Sequence, residues 1–171
     1  MGTPALIGAL NEDGSVQAIS VNHDGYPKEA GRKLITYWAT FPRVQALLAL
    51  GDLAILGEEI GEAHRMDPFP RVDMPGMGRW CVSFMRDRIP YLKPGEKEEY
   101  LRNAGDETAQ IYDDVREFLD AGDRGGSLFD FLNIEWAYLY EGGQWYVYPD
   151  CELPRYLVAE YLETMPASLL D

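Results

Sequence analysis

Three side chains within four residues, His23, Asp24 and Tyr26 in the stretch Val-Asn-His-Asp-Gly-Tyr-Pro, are of types that do chemistry together. An imidazole beside a carboxylate can move a proton, and a tyrosine ring can stack on a flat ligand. If that ligand were a small molecule or a signalling nucleotide, its negative charge would need cations nearby, for which Arg32, Lys33, Arg86 and Arg88 are the candidates. The remaining catalytic inventory is short. His23 and His64 are the only imidazoles, and Cys81 and Cys151 the only thiols. Zinc accepts that mixture, but no C-x-x-C or H-x-x-x-H spacing pairs its members. Both thiols stand in apolar, aromatic company that raises a thiol pKa, so no Cys-His nucleophile is expected. The phosphate-loop, dinucleotide, zinc-protease and nucleophile-elbow signatures are missing too. No catalytic residue, metal or cofactor is expected.

Carboxylates are the abundant functional group. Glu58-Glu59, Glu98-Glu99 and Asp113-Asp114 are adjacent pairs, which on a helix do not face each other and read as solvated faces. Their distribution is more informative than their pairing. Residues 1–95 carry 11 acids and 10 bases, whereas residues 96–171 carry 18 acids and 5 bases, so a net charge of -14 falls almost wholly on one half. Direct binding of nucleic acid is disfavoured, because it needs clustered lysine and arginine to displace counterions. A basic protein is the partner such a surface admits. The residues expected to contact it are Glu98, Glu99, Asp106, Glu107, Asp113, Asp114, Glu117 and Asp120, on an acidic helical segment at 96–123.

The elements that must position these groups belong to one domain. A chain of 171 residues with 46% hydrophobic and 12% aromatic residues builds a core without staples. No leader or long apolar span is read at the N-terminus, and two isolated cysteines fit a reducing compartment, so a cytoplasmic location is expected. Asp13-Gly14 between two apolar runs predicts a β-hairpin, Ala5–Leu10 with Val16–Val21. Asp24-Gly25 turns the chain and Pro27 opens a helix over 27–39, with Ala30, Leu34, Ile35 and Trp38 on its inner stripe. Pro42 opens a second helix that Gly51 ends, with Val44, Leu47 and Leu48 facing in. Asp52 then caps a further half-turn. Three prolines at 65–78 predict an exposed loop, and 80–85 alternates like a strand.

Beyond residue 94 two helical pieces are predicted, the second capped by Asp106 or Thr108 with Ile111, Tyr112, Val115, Phe118 and Leu119 buried. Gly142-Gly143 joins two aromatic strands in a second hairpin. A terminal helix follows, with Tyr156, Leu157, Leu162 and either Ala159 or Glu160 near its inner edge. Hairpins without βαβ units predict an α+β domain: an antiparallel sheet of about five strands with helices mainly on one face.

The stretches around Asp24-Gly25-Tyr26-Pro27 and Leu50-Gly51-Asp52-Leu53 resemble a family of small bacteriophage and prophage proteins. In that family a D-G-Y-P strand-to-helix corner precedes a helix ending in L-G-D-L, and an aromatic hairpin often closes the chain. The resemblance implies a viral or mobile-element origin and carries no activity with it. Joined to the acidic half, it leads to the expectation of a non-enzymatic accessory protein that inhibits a basic host defence protein, such as a CRISPR effector or restriction enzyme, by mimicking nucleic-acid charge. The alternative is a protein that binds or degrades a small molecule or signalling nucleotide through His23, Asp24 and Tyr26.

Overall fold

In the computed structural model of the chain, which describes residues 3–66, 76, 78–124 and 134–169, turn chemistry sets the first element. Strands β1 (Ala5–Leu10) and β2 (Val16–Val21) pair antiparallel from Ala5↔Val21 to Leu10↔Val16. Gly14 alone in their turn takes a positive φ, and Asp13 Oδ1 accepts from the Ser15 N–H at 2.9 Å. A π-helical turn, Pro27–Gly31, runs into α1 (Arg32–Tyr37), and α2 (Phe41–Ala49) follows. The middle of the chain gives β3 (Leu53–Ile55), β4 (Val82–Ser83), α3 (Phe84–Asp87), α4 (Pro94–Ala104), β5 (Gln110–Tyr112) and α5 (Val115–Arg124). The aromatic hairpin β6 (Trp136–Glu141) and β7 (Gln144–Pro149), then β8 (Tyr156–Leu157) and α6 (Val158–Thr164), complete it.

The chain is α+β as expected, but the sheet is mixed and wider than five antiparallel strands. Its order is β4-β3-β2-β1-β6-β7-β8, with β5 also pairing β2. The pairs β1 with β6 and β2 with β3 run parallel. Parallel neighbours need a crossover and so lie far apart in the chain, whereas turn residues report only on sequential strands. Helices cover both faces rather than mainly one. Ile7, Ile19, Tyr138 and Val147 pack under α1, α2 and α6 through Leu34, Leu47 and Val158. Leu6, Val16, Ala137 and Leu139 pack under Phe118 and Leu119 of α5.

Several local expectations shift because strand edges recruit residues. Residues 53–55 pair with β2 and β4 instead of forming a half-turn. The strand expected over 80–85 shortens to Val82–Ser83, since the Ser83 Oγ accepts from the Arg86 N–H and starts α3. Within the acidic segment, residues 110–112 form β5 on the open edge of β2 at Val16–Ala18, which leaves Ile111 63% exposed. The terminal helix turns Val158 and Tyr161 inward, not Ala159 or Glu160. Residues 67–75 and 77 of the expected loop lie outside the described residues, and Met66 at its start is buried against Val82 and Phe84.

Polar tips of the aromatic strands fasten the helices to the sheet. Trp145 Nε1 donates to the Trp38 carbonyl at 2.7 Å and the Tyr140 hydroxyl to the Ala39 carbonyl at 3.1 Å, satisfying the end of α1. Tyr138 donates to the Gly25 carbonyl at 2.7 Å, and the Gly25 N–H donates to the Thr3 carbonyl at 2.7 Å. A Cβ at Gly25 would stand 2.6 Å from both the Ala5 Cβ and the Thr3 carbonyl oxygen. Gly25→Ala is therefore expected to cost about 1–3 kcal/mol, read as a lower thermal midpoint by circular dichroism.

Candidate functional site

The edge of β2 is shared by two short strands, and the site lies in the notch between them. β5 takes Val16–Ala18, β3 takes Val21, and the Asn22 N–H donates to the Leu53 carbonyl at 3.0 Å. That leaves the Ser20 N–H without a strand partner. Asp52 fills the gap, its Oδ1 accepting from the Ser20 N–H at 2.9 Å. Each residue of Leu50-Gly51-Asp52-Leu53 then has a task. The Leu50 carbonyl accepts from the Ser83 hydroxyl at 2.6 Å, Gly51 takes φ +74°, and Leu53 opens β3 fully buried.

A second crossing brings in Glu107. Its carbonyl accepts from the Asp52 N–H at 2.8 Å, and a Cβ on Gly51 would lie 2.2 Å from that oxygen, so only glycine permits the approach. Glu107 itself sits at φ +63°, a conformation disfavoured for a side chain with a Cβ. Asp106 braces this turn, its Oδ1 accepting from both the N–H and the hydroxyl of Thr108 at 3.1 and 2.7 Å. The outcome is a glutamate only 3% exposed, its Oε1 accepting from the Tyr100 hydroxyl at 2.9 Å.

The Glu107 and Asp52 side chains border one pocket, and two carboxyls brought this close interact favourably only with a proton between them. Burial first, then the interaction with Asp52 and its charge, push Glu107 up to about 8, so the pair keeps a proton at neutral pH. Burial also raises Asp52, opposed by its hydrogen bonds from Glu107 and Ser20. Burial and the neighbouring Glu107 charge raise the Tyr100 phenol, over whose ring the Arg88 guanidinium lies at 5.3 Å. The pair borders a pocket of about 280 Å³ whose wall includes Leu6, Ala18, Ser20, Asp106, Gln110 and Tyr112. A buried and a half-buried carboxyl sharing one proton can give it up to a base or exchange it for a cation.

The groups singled out in the sequence are distributed differently. His23 is half-buried in the bend after β2, Asp24 is exposed at φ +56°, and the half-buried Tyr26 receives the Glu29 and Ala30 N–H groups at its carbonyl. None of the three borders the Asp52–Glu107 pocket. The cations suggested for a nucleotide have separate uses. Lys33 donates to the Leu56 carbonyl at 3.0 Å, and Arg86 is held by Asp87 and the Ile60 and Cys81 carbonyls. Cys81 is buried, its thiol pushed up to about 11, and Cys151 Sγ donates to the Ile134 carbonyl. Among the described residues no three His, Cys, Asp or Glu are grouped to hold a metal.

Of the eight acids expected at a partner surface, Glu98, Glu99, Asp106, Asp113, Asp114 and Glu117 are exposed, Asp120 is half-buried beside Arg116, and Glu107 is buried. Asp114 and Glu117 also cap α5. Asp114 Oδ1 accepts from the Glu117 N–H and Glu117 Oε2 from the Asp113 N–H, both at 2.8 Å. Asp52 and Tyr100 were not singled out for the site from the sequence. Its one signal is a pair of helix-ending glycines, Gly51 and Gly105, each followed directly by acids.

No protein-family model, curated protein or solved structure matches this chain. Among the described residues no helix is long and apolar enough to cross a membrane.

Two outcomes follow from these bonds. Asp114→Ala is expected to cost about 1 kcal/mol in chemical denaturation through the lost cap. Glu107 binds a proton in the folded chain that it releases on unfolding between its ordinary 4.5 and about 8. Its stabilising contribution is complete below that window and is lost as pH rises through it. Thermal midpoints should fall across the window, and fall less steeply in Glu107→Gln, whose amide keeps the bonds to Tyr100 and Asp52.

Proposed function

We propose that this protein is a non-enzymatic accessory protein of a bacteriophage or mobile element. It binds and blocks a basic host defence protein, a CRISPR effector or restriction enzyme, by offering carboxylates where that protein expects phosphates. The observation that supports this reading is the exposure of Glu98 and Glu99 on α4 and of Asp106, Asp113, Asp114 and Glu117 around β5 and the start of α5. Charge alone gives such a surface steering and selectivity rather than hold. Leu101 and Ile111, 37% and 63% exposed in the same part of the chain, add the apolar contact that lasting complexes use.

The test is inhibition of DNA cleavage by a panel of host restriction and CRISPR nucleases at low ionic strength. Inhibition is expected for at least one, weakening as salt is raised. A triple variant, Glu98→Lys, Glu99→Lys and Asp113→Lys, leaves the Asp114 and Glu117 side-chain caps in place and is expected to lose inhibition by about tenfold or more. Full cleavage by every member of the panel at low salt would overturn the proposal.

A further inference from the structure

Asp52 and Glu107 bring two carboxyl groups to one pocket in the notch beside β2. Glu107 is 3% exposed, and its Oε2 receives a hydrogen bond from no N–H or O–H among the described residues. Asp52 has one oxygen engaged by the Ser20 N–H. A contact between two acceptors exists only with a cation in it, and in the free protein that cation is a proton. The same place would take a larger cation. A guanidinium matches it best, since its planar fork bridges carboxylate oxygens and is weakly hydrated for its charge.

We infer that the Asp52–Glu107 pocket receives one guanidinium group, the side chain of an arginine on the basic partner, which displaces the proton the two carboxyls share. This rests on the proposed function and names the anchor within it. The pocket, about 280 Å³, carries Leu6, Ala18 and Ile134 to pack along the methylene stem, and Gln110 and Tyr112 as polar wall. The exposed Asp106 stands in the same wall and adds attraction at the approach. The other titratable or charged groups around the pair are Tyr100 of α4, bonded to Glu107 Oε1, Tyr112 of β5, and Arg88. Arg88 lies over the Tyr100 ring and lines a separate pocket with Glu96 and Glu99.

The probe is n-propylguanidinium, titrated calorimetrically into the full chain in two buffers of different ionisation enthalpy. Binding is expected to release up to one proton per guanidinium and to tighten by up to about tenfold for each unit by which pH is raised toward the Glu107 titration. Glu107→Gln should bind at least about tenfold more weakly at pH 8 and release no proton. If that variant does not fold, the wild-type pH series with its proton count decides alone. Absence of binding at pH 8, a pH-independent affinity, or equally tight binding of n-butylammonium would overturn the assignment. The Glu98→Lys, Glu99→Lys, Asp113→Lys protein should bind the probe like wild type. Nuclease inhibition without probe binding would remove this inference and leave the proposed function standing, and probe binding with no nuclease inhibited would do the reverse.

Discussion

The parallel pairing of β1 with β6, from Ala5↔Trp136 to Ala9↔Tyr140, joins the two ends of the chain and makes one sheet of two hairpins. Both strands are buried on both faces, which is the setting in which parallel pairs are stable. Their side chains compensate in volume. Ala5, Gly8 and Ala9 of β1 are small, while β6 supplies Trp136, Tyr138 and Tyr140. At Gly8 a Cβ would stand 2.8 Å from Val16 Cγ1 and 3.0 Å from the Phe118 ring, so the approach of α5 to this face depends on that glycine. On the other face the Tyr138 and Tyr140 hydroxyls, with the Trp145 indole of β7, reach the backbone around the first helix. That is why the His-Asp-Gly-Tyr-Pro corner is a structural joint: Gly25 is bonded on both sides, to Thr3 and to Tyr138.

Outward from this centre, β2 has more open edge than any one neighbour covers. Two three-residue strands share it, and a side chain completes the ladder between them. A backbone donor left bare there would carry an appreciable cost, and a carboxylate is the strongest acceptor available to meet it. Bringing Asp52 to Ser20 draws in the Glu107 backbone, and with it a second carboxyl that has lost its water. The shared proton is thus a consequence of how the sheet edge is closed, and a pocket beside it gives that strained arrangement a chemical use.

The acidic half serves two purposes at once. Asp106, Asp114 and Glu117 are exposed, yet each hydrogen-bonds backbone N–H groups of its own turn or helix start. Glu98, Glu99 and Asp113 have exposed side chains. In the balanced half the one fully buried aspartate among the described residues, Asp87, is met by Arg86 and by the His64 and Ser83 N–H groups, which makes it a tie between segments.

Much of the architecture was legible because it is local. Asp13-Gly14, Pro27, Pro42 and Gly142-Gly143 act on their immediate neighbours through fixed or permitted φ values, and the two hairpins and first two helices lie where those residues put them. Patterning also identified the inner faces, Leu34 and Trp38 on one helix and Leu47 and Leu48 on the next. What tertiary structure decided is everything that depends on which edge meets which: the parallel pairs, the strand at 110–112 taken from an amphipathic stretch, and the site. Asp52 and Glu107 lie 55 positions apart, each in a context that reads as a helix end. Nothing local distinguishes a carboxylate that will face water from one that will face another carboxylate. Charge, turns and periodicity were therefore determined by the sequence itself, whereas desolvation, which makes these two acids share a proton, exists only once the chain has closed over them.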